Sequence, residues 1–243
     1  MKILFSPSET KRSDVGDTKF SVENLIFGLN LREEFLSKYD DFIKSSSIDE
    51  LSKFFGIKNL SDAQRFKFSY KSKTGLKAIK RYTGVAYDAL KYQNLDQMAK
   101  NYIDENVLIF SNLYGVLRAK DIIPEYKFKQ GASFLGLKPE IYYGRNLGKF
   151  LDEYLKEDEI LDLRASFYEK FYSIKKPFIT LKFIKDEKIV SHWAKFYRGA
   201  VLKEIAKANI KSLDEFQDLK VENLSIKEIK KQSNKTEITY KIR

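Results

Sequence analysis

The chain has no cysteine and a single histidine, His192. The first absence excludes disulfides, thiolate metal sites and a cysteine nucleophile. The second excludes a metal site built from several histidines of one chain. Four prolines and eleven glycines in 243 residues leave no proline-rich linker, and neither an internal repeat nor a low-complexity tract is visible, so one continuous domain over 1–243 is expected. No apolar run approaches the roughly 20 residues that span a bilayer. The opening MKILFSP lacks the long apolar stretch and small-residue cleavage site of a signal peptide. A cytoplasmic protein without a membrane partner is the expectation. Also missing are a Walker A loop, a dinucleotide glycine signature, HExxH and a nucleophile elbow. A Ser-His-Asp triad would have to use His192, which stands beside Trp193 with no nucleophile signature to accompany it. The carboxylate pairs Asp40-Asp41 and Asp186-Glu187 fall on a helix pattern and in a turn, as solvated charges do. No cofactor and no metal site are expected.

What is present is charge of one sign. The net charge is +11, which favours a polyanionic partner. Only nine of the 45 basic residues are arginine, and the chain is rich in lysine, isoleucine and aromatics, so part of the excess reads as solvated lysine. The charge is segregated. Residues 21–62 hold five basic and eight acidic side chains, residues 65–91 eight and one, and residues 164–207 eleven and four.

Read in order, residues 2–5 form a buried strand closed by Ser6-Pro7, followed by a polar loop, 8–20, carrying Glu9, Lys11 and Arg12. Such a loop is either a site or a solvated connection. Helical spacing recurs at Val22, Leu25, Ile26 and Leu29 and again from Phe35 to Ile43. Ser47 and Glu50 make a capping box for a short helix that Gly56 ends, and another helix starts at Ser61-Asp62 and carries Phe66 and Tyr70. Lys71, Lys73, Lys77, Lys80 and Arg81 then lead into Tyr82-Thr83-Gly84 and Tyr87. This is either a surface for phosphates and stacked bases or a lysine-rich helix over two core tyrosines. Asn94, with Gln97 three residues on, caps a helix over 95–105. Later come a helix at 147–155, a strand at 160–163, hairpins pairing 178–184 with 188–192 and 224–230 with 236–242, and a helix over 194–209. A capping box at Ser166–Glu169 places Arg164 before a helix N-terminus, where an anion would be stabilised.

Positions 95–120 read as a helix, a tight turn at Asn112-Leu113-Tyr114-Gly115, and a second short helix bearing Arg118 and Lys120. A helix-hairpin-helix element of this kind aims backbone amides at a phosphate. Asn112 stands where a second glycine is usual, and asparagine reaches positive φ more readily than other non-glycine residues.

Several ordered segments together resemble the YaaA family of peroxide-stress proteins. They are the opening Lys2–Lys11, Tyr82-Thr83-Gly84, Asn112–Arg118 with Asp121, Asp162–Ser166, and Lys195 through Arg198-Gly199. LYGVLR is the most specific of them. The resemblance implies a mixed α/β (α+β) single domain of unusual topology, with a central sheet, surrounding helices and a helix-hairpin-helix element beside a basic cleft. It also implies binding to double-stranded or distorted DNA, largely independent of sequence, and a role in limiting iron-driven DNA damage. Ser6, Lys11, Arg118, Arg164, Lys195 and Arg198 occupy motif positions. Many relatives place lysine just after the opening Ser-Pro-Ala, where this chain has Glu9, with Lys11 two further on.

The leading expectation is therefore a DNA-binding protein of the oxidative-stress response in which Lys80, Arg81, Arg118, Lys120, Arg164, Lys195 and Arg198 line one basic cleft. Asn112 and Gly115 shape the phosphate-binding turn, and Tyr82 or Tyr114 stacks on an unpaired base. One rival is a nucleic-acid glycosylase or lyase whose nucleophile is a lysine of lowered pKa, either Lys11 beside Glu9 or Lys195. Another is a stress protein acting through a protein partner, or through iron without a clustered carboxylate site. The oligomeric state is not legible.

Overall fold

Three short apolar runs, KILF, VLIFS and ILDL, make the middle of the sheet. They form β1 (Lys2–Phe5), β4 (Val107–Ser111) and β7 (Ile160–Leu163), and β4 and β7 are buried throughout. Near-continuous burial is what parallel strands covered on both faces require. In this computed structural model, which describes residues 1–69 and 74–243, β1 pairs in parallel with β4 on one edge, Ile3 opposite Val107. On the other edge it pairs in parallel with β7, Ile3 opposite Leu161. Beyond β7 lie β8 (Phe178–Lys185) and β11 (Lys235–Ile242), both parallel to their inner neighbours. The sheet closes on that side with β10 (Leu224–Gln232), the antiparallel partner of β11, and the short β9 (Lys188–Ile189) folds back on β8. On the opposite edge β5 (Gly115–Arg118) runs antiparallel to β4. A separate three-stranded sheet joins β2 (Thr18–Lys19), β3 (Thr74–Lys77) and β6 (Ile122–Ile123). A single connected hydrophobic core joins the two sheets, with the short β2 and β9 exposed outside it.

Ten helices surround the sheets among the described residues. α1 (Glu33–Ser45) buries Phe35, Leu36, Tyr39 and Ile43. α2 (Ile48–Phe55) has the expected capping box, Ser47 with Glu50, and ends at Gly56 with φ +65°. After four residues α3 (Leu60–Gln64) begins, capped by the Asn59 side chain on the Ser61 amide. Tyr70, Lys71 and Lys73 lie outside the described residues. α4 (Ala78–Arg81) and α5 (Val85–Leu90) follow, then α6 (Gln97–Asn106), whose cap is Asp96 rather than Asn94. α7 (Pro139–Tyr154) starts earlier than the periodicity implied, with proline at its first turn. α8 (Ser166–Glu169) is one turn, α9 (Ser191–Ala208) is the longest helix, and α10 (Leu213–Gln217) precedes the last hairpin. Both expected hairpins are present. Asp186 and Glu187 have positive φ in the first, and Ser233 does in the second.

Two expectations fail for physical reasons. The element at 95–120 is not helix-hairpin-helix. After α6 the chain enters the sheet as β4 beside β1, turns over residues 112–114, and returns as β5. The Ser111 hydroxyl accepts from the amides of Leu113 and Tyr114 at 3.2 and 3.0 Å. Gly115 sits at φ +68°, where a Cβ would meet Tyr143 at 2.7 Å. The turn amides are thus spent on Ser111 inside the core. The second failure is at 22–29, where helical spacing produces only one 3-10 turn, Val22–Asn24. Arg32 explains this. Its buried guanidinium donates to the carbonyls of Ile26 (2.7 Å), Gly28 (2.6 Å), Tyr114 (2.7 Å) and Val116 (2.7 Å). Carbonyls that a helix would have used internally are taken by one side chain, which ties this segment to the β4–β5 turn.

Replacing Arg32 by methionine keeps much of the volume and leaves three buried carbonyls and one partly buried carbonyl without this donor. The expected loss is about 3 kcal/mol or more in a urea denaturation midpoint series. A loss below about 1 kcal/mol would show that the carbonyls find other partners.

Candidate functional site at the carboxyl edge of the sheet

The chain leaving β1 travels to β4, while the chain leaving β7 travels to β8, on the other side of β1. Connections that part in this way open a crevice outside the carboxyl ends of the two strands, where open α/β sheets bind ligands. A cavity of about 430 Å³ lies there. Its floor is Phe5, Leu163 and Ala165 at the strand ends, and one wall is the loop Ser6–Thr10. Thr83, Gly84 and the start of α5 make a second wall, with Tyr87 and Tyr168, and Gln130, Lys195 and Arg198 complete the rim.

Local chemistry fixes each wall. The Ser6 hydroxyl accepts from the Ala165 amide at 2.8 Å and its carbonyl accepts from the Tyr87 hydroxyl at 2.8 Å, so Ser6 holds β1, β7 and α5 together. Thr10 donates through its hydroxyl to the Thr83 carbonyl (3.1 Å), and the Thr83 amide donates back to the Thr10 carbonyl (3.1 Å). Gly84 has φ +97°, a region L residues rarely adopt, and a Cβ there would press on the hydroxyls of Thr10 and Ser8 at 3.1 and 3.2 Å. Gly199 lets α9 lie directly against α5; a Cβ at this position would fall 1.9 Å from the Ala86 carbonyl oxygen. That contact brings Lys195, one turn earlier on α9, and the adjacent Arg198 to the cavity. The Glu9 carboxylate accepts from the Gln130 amide at 2.9 Å, closing the wall on the far side.

Lys195 and Arg198 have no carboxylate within 4 Å among the described residues. The Nε of Arg198 is buried without a hydrogen-bond partner. Burial lowers the pKa of its guanidinium, while the more distant Asp162 and Glu169 act in the opposite direction. Asp162 is already committed to Arg164, at 2.8 and 2.7 Å.

On the outer side of the 8–10 loop lies Lys11. Its ammonium donates to the Ser8 carbonyl at 3.0 Å and sits 4.0 Å from the ring centroid of Tyr126 and 5.2 Å from that of Tyr82. Beneath it a hydroxyl chain links Tyr82, Tyr126 and Ser111, with 2.8 Å between each pair. Burial, reinforced by Lys127, brings the Lys11 pKa down to about 7; Glu9 and Glu125 oppose the shift. Lys11 lines a second, shallower cavity with Glu9, Thr10, Arg65, Lys127 and Ile57, the last belonging to the turn between α2 and α3. The two cavities therefore share Glu9 and Thr10 as a common wall. That turn is exposed at Gly56, Lys58 and Asn59, and the stem of Lys129 packs on Gly56.

Of the residues expected to line one basic cleft, the structure brings Lys195 and Arg198 together, with Lys11 behind the adjoining wall. The others are elsewhere. Arg118 pairs with Leu108 in the β4–β5 ladder, three residues, or about 10 Å, from the carboxyl end of β4 at Ser111. Its guanidinium binds Asp121 at 2.7 Å and the Asn24 carbonyl at 2.8 Å. Lys120 pairs with Glu105. Arg81 is buried on the carbonyls of Arg12, Asp14 and Ile123, while Lys80 is partly buried beside Lys91 and Asn94. Arg164 does not present charge to an anion at the N-terminus of α8. It spans that short helix to donate to the Tyr168 and Tyr172 carbonyls, and Ser166 caps nothing. Tyr82, Asn112, Tyr114 and Gly115 are core residues. Sequence reasoning missed the α2–α3 turn as a surface element, although the signal was there: a capping box, then FGIKN, then a second capping residue. Tyr168 and Gln130 had no such signal.

Among the described residues no group of three or more His, Asp or Glu side chains is arranged around a common metal position, and no helix is long and apolar enough to cross a membrane.

Comparison with known proteins identifies the family. A family model described as "Peroxide stress protein YaaA" matches residues 1–230. An uncharacterised protein of Campylobacter jejuni is 45% identical over 244 residues, covering 100% of this chain and 99% of that one. A UPF0246 protein of Fusobacterium nucleatum is 26% identical over 243 residues, covering 93% of each chain.

A lysine at the ordinary pKa becomes about tenfold more reactive per pH unit through the neutral range, whereas one with a pKa near 7 levels off above it. Competitive acetylation between about pH 6 and 9, read by peptide mass spectrometry, should show Lys11 levelling off above about pH 8 while surface lysines keep climbing. A Lys11 curve parallel to the rest would contradict the enclosed geometry.

Proposed function

The chain belongs to the YaaA family of peroxide-stress proteins, and on that premise we propose that it binds duplex or distorted DNA and helps limit iron-driven DNA damage under peroxide stress. The observation that carries this reading is a single continuous face. The exposed α2–α3 turn, the Lys129-Gln130 segment and the 8–10 loop follow one another to the carboxyl-edge cavity. In this reading the α2–α3 pair takes the helix-hairpin-helix role first expected at 95–120. The amides of Lys58 and Asn59 and the ammonium groups of Lys58 and Lys129 hold backbone phosphates, which positions DNA without reading its sequence. Lys195 supplies a further cation across the cavity. Arg118 and Lys120 take no part, because both are engaged with carboxylates at the other end of β4.

The test is a fluorescence anisotropy titration of a labelled duplex over a salt series. The double variant Lys58→Glu with Lys129→Glu should weaken binding at least tenfold near 0.1 M salt, and the slope of log K against log salt should flatten by about two. Arg118→Ala should leave that slope where it was. If the wild-type protein shows no affinity for DNA, or an affinity indifferent to salt, the reading fails.

A second reading is favoured by one specific feature, the Lys11 amine with its lowered pKa beside the α2–α3 turn. Such an amine is a competent nucleophile at neutral pH. It would add to the C1′ aldehyde of an abasic site and lose water to give an imine. Borohydride reduction of a mixture with abasic duplex should leave a covalent adduct that Lys11→Ala abolishes. An absence of adduct with the wild-type protein excludes this chemistry.

A further inference from the structure

The carboxyl-edge cavity carries more than general affinity for a polyanion. Its floor is apolar, formed by Phe5, Leu163 and Ala165 with the rings of Tyr87 and Tyr168, beside polar loop walls that include the Glu9 carboxylate. Both phenols are nearly inaccessible apart from what they show to the cavity. Cations stand only at its rim, where Lys195 and Arg198 lie one helical turn apart on α9. Neither has a carboxylate partner within 4 Å among the described residues, and the Arg198 Nε is buried with no acceptor. An unmatched buried donor costs free energy unless a ligand supplies the acceptor. The volume of about 430 Å³ lies within the usual range for small-molecule sites, about 300–1,000 Å³. Duplex DNA is too wide to enter such a cavity, and a bare phosphate would leave its apolar part unfilled. A planar aromatic group joined to a phosphate satisfies both ends.

We propose that this cavity receives a single nucleotide, its base against the apolar floor between Tyr87 and Tyr168 and its phosphate on Arg198 and Lys195. The source is a nucleotide swung out of distorted DNA held on the α2–α3 turn, so the proposal rests on the DNA-binding reading above; a free nucleoside monophosphate has the same chemistry. Taking a base out of the stack costs a few kcal/mol for a paired base and least for one that is already unpaired. The site therefore turns a sequence-independent binder into one that prefers bulged or mismatched positions.

The experiment compares a fully paired duplex with the same duplex carrying one bulged 2-aminopurine. It uses the full chain, Val85→Phe, which fills the cavity, and Arg198→Gln, which removes the rim charge; thermal melts establish that both variants fold. Wild-type protein should bind the bulged duplex about tenfold more tightly than the paired one, with a change in 2-aminopurine emission on binding. Both variants should bring that ratio to within about twofold of unity. A wild-type ratio near one, or a ratio that both folded variants retain, overturns the nucleotide site while the paired-duplex arm still reports on DNA binding. A separate calorimetric titration with deoxyadenosine monophosphate decides the source. If the wild-type protein binds no DNA but binds this nucleotide, and Arg198→Gln does not, the site stands and its ligand is the free nucleotide. If it binds neither DNA nor the nucleotide, the proposal is wrong.

Discussion

Strand β1 is hydrogen-bonded in parallel on both edges, to β4 and to β7, and the placement of the whole site follows from that. A strand with two parallel neighbours has to sit in the sheet interior, so its four residues are apolar apart from Lys2 at its start. Because the chain reaches those neighbours by connections going opposite ways, the loops at their carboxyl ends diverge. The cavity is the gap they leave. Ser6, the first residue past β1, then has to satisfy polar groups from both sides of the gap, and it does so with one hydroxyl and one carbonyl. Gly84 and Gly199 are consequences of the same layout. The first allows the chain to turn into α5 against the 8–10 loop, and the second allows α9 to close over α5. Each removes a Cβ that would push a wall away.

Arginine in this molecule is mainly a structural residue. Arg32, Arg81 and Arg164 are among its largest fully buried side chains. Only Arg164 has a carboxylate partner, and the other two are satisfied mostly or wholly by backbone carbonyls. A guanidinium offers five donors in a fixed plane, so one side chain can join several loops that lack regular hydrogen bonding. Arg32 does this for the segment before α1 and for the β4–β5 turn, while Arg81 does it for residues 12–14 and β6. The net charge of +11 is therefore a poor guide to the charge available to a partner, because these guanidinium groups are internal. The surface excess is carried by lysine.

The same fact marks where the sequence could be read and where it could not. Both hairpins, the long α9 and the capped α2 follow from periodicity and turn residues, since the forces that set them are local. The β4–β5 hairpin does not. VLIFS is an apolar run too short to separate a buried strand from a helical turn, and what decides it is a vacant place beside β1 more than a hundred residues earlier in the chain. LYGVLR looked like a surface element because it ends in arginine and holds a glycine. Its glycine makes room for Tyr143, and its arginine binds Asp121 three residues on. The motif is specific because it is packed, so its specificity says little about a ligand. Lys195 and Arg198 were legible as candidate site residues from their segment, but only the fold shows them without carboxylate partners at a cavity.

The Glu9 carboxylate accepts the Gln130 amide. Position 9 thereby joins the opening loop to the segment bearing Lys129. The nearest cation on its C-terminal side is Lys11. It lies behind the wall, over Tyr126, with its pKa brought down to about 7. Positive charge facing the cavity is left to α9 alone. An anion entering from the α2–α3 side passes the Glu9 carboxylate, which disfavours a stop there, before meeting Arg198 and Lys195 at the far rim, and the apolar floor stays free for what the anion carries.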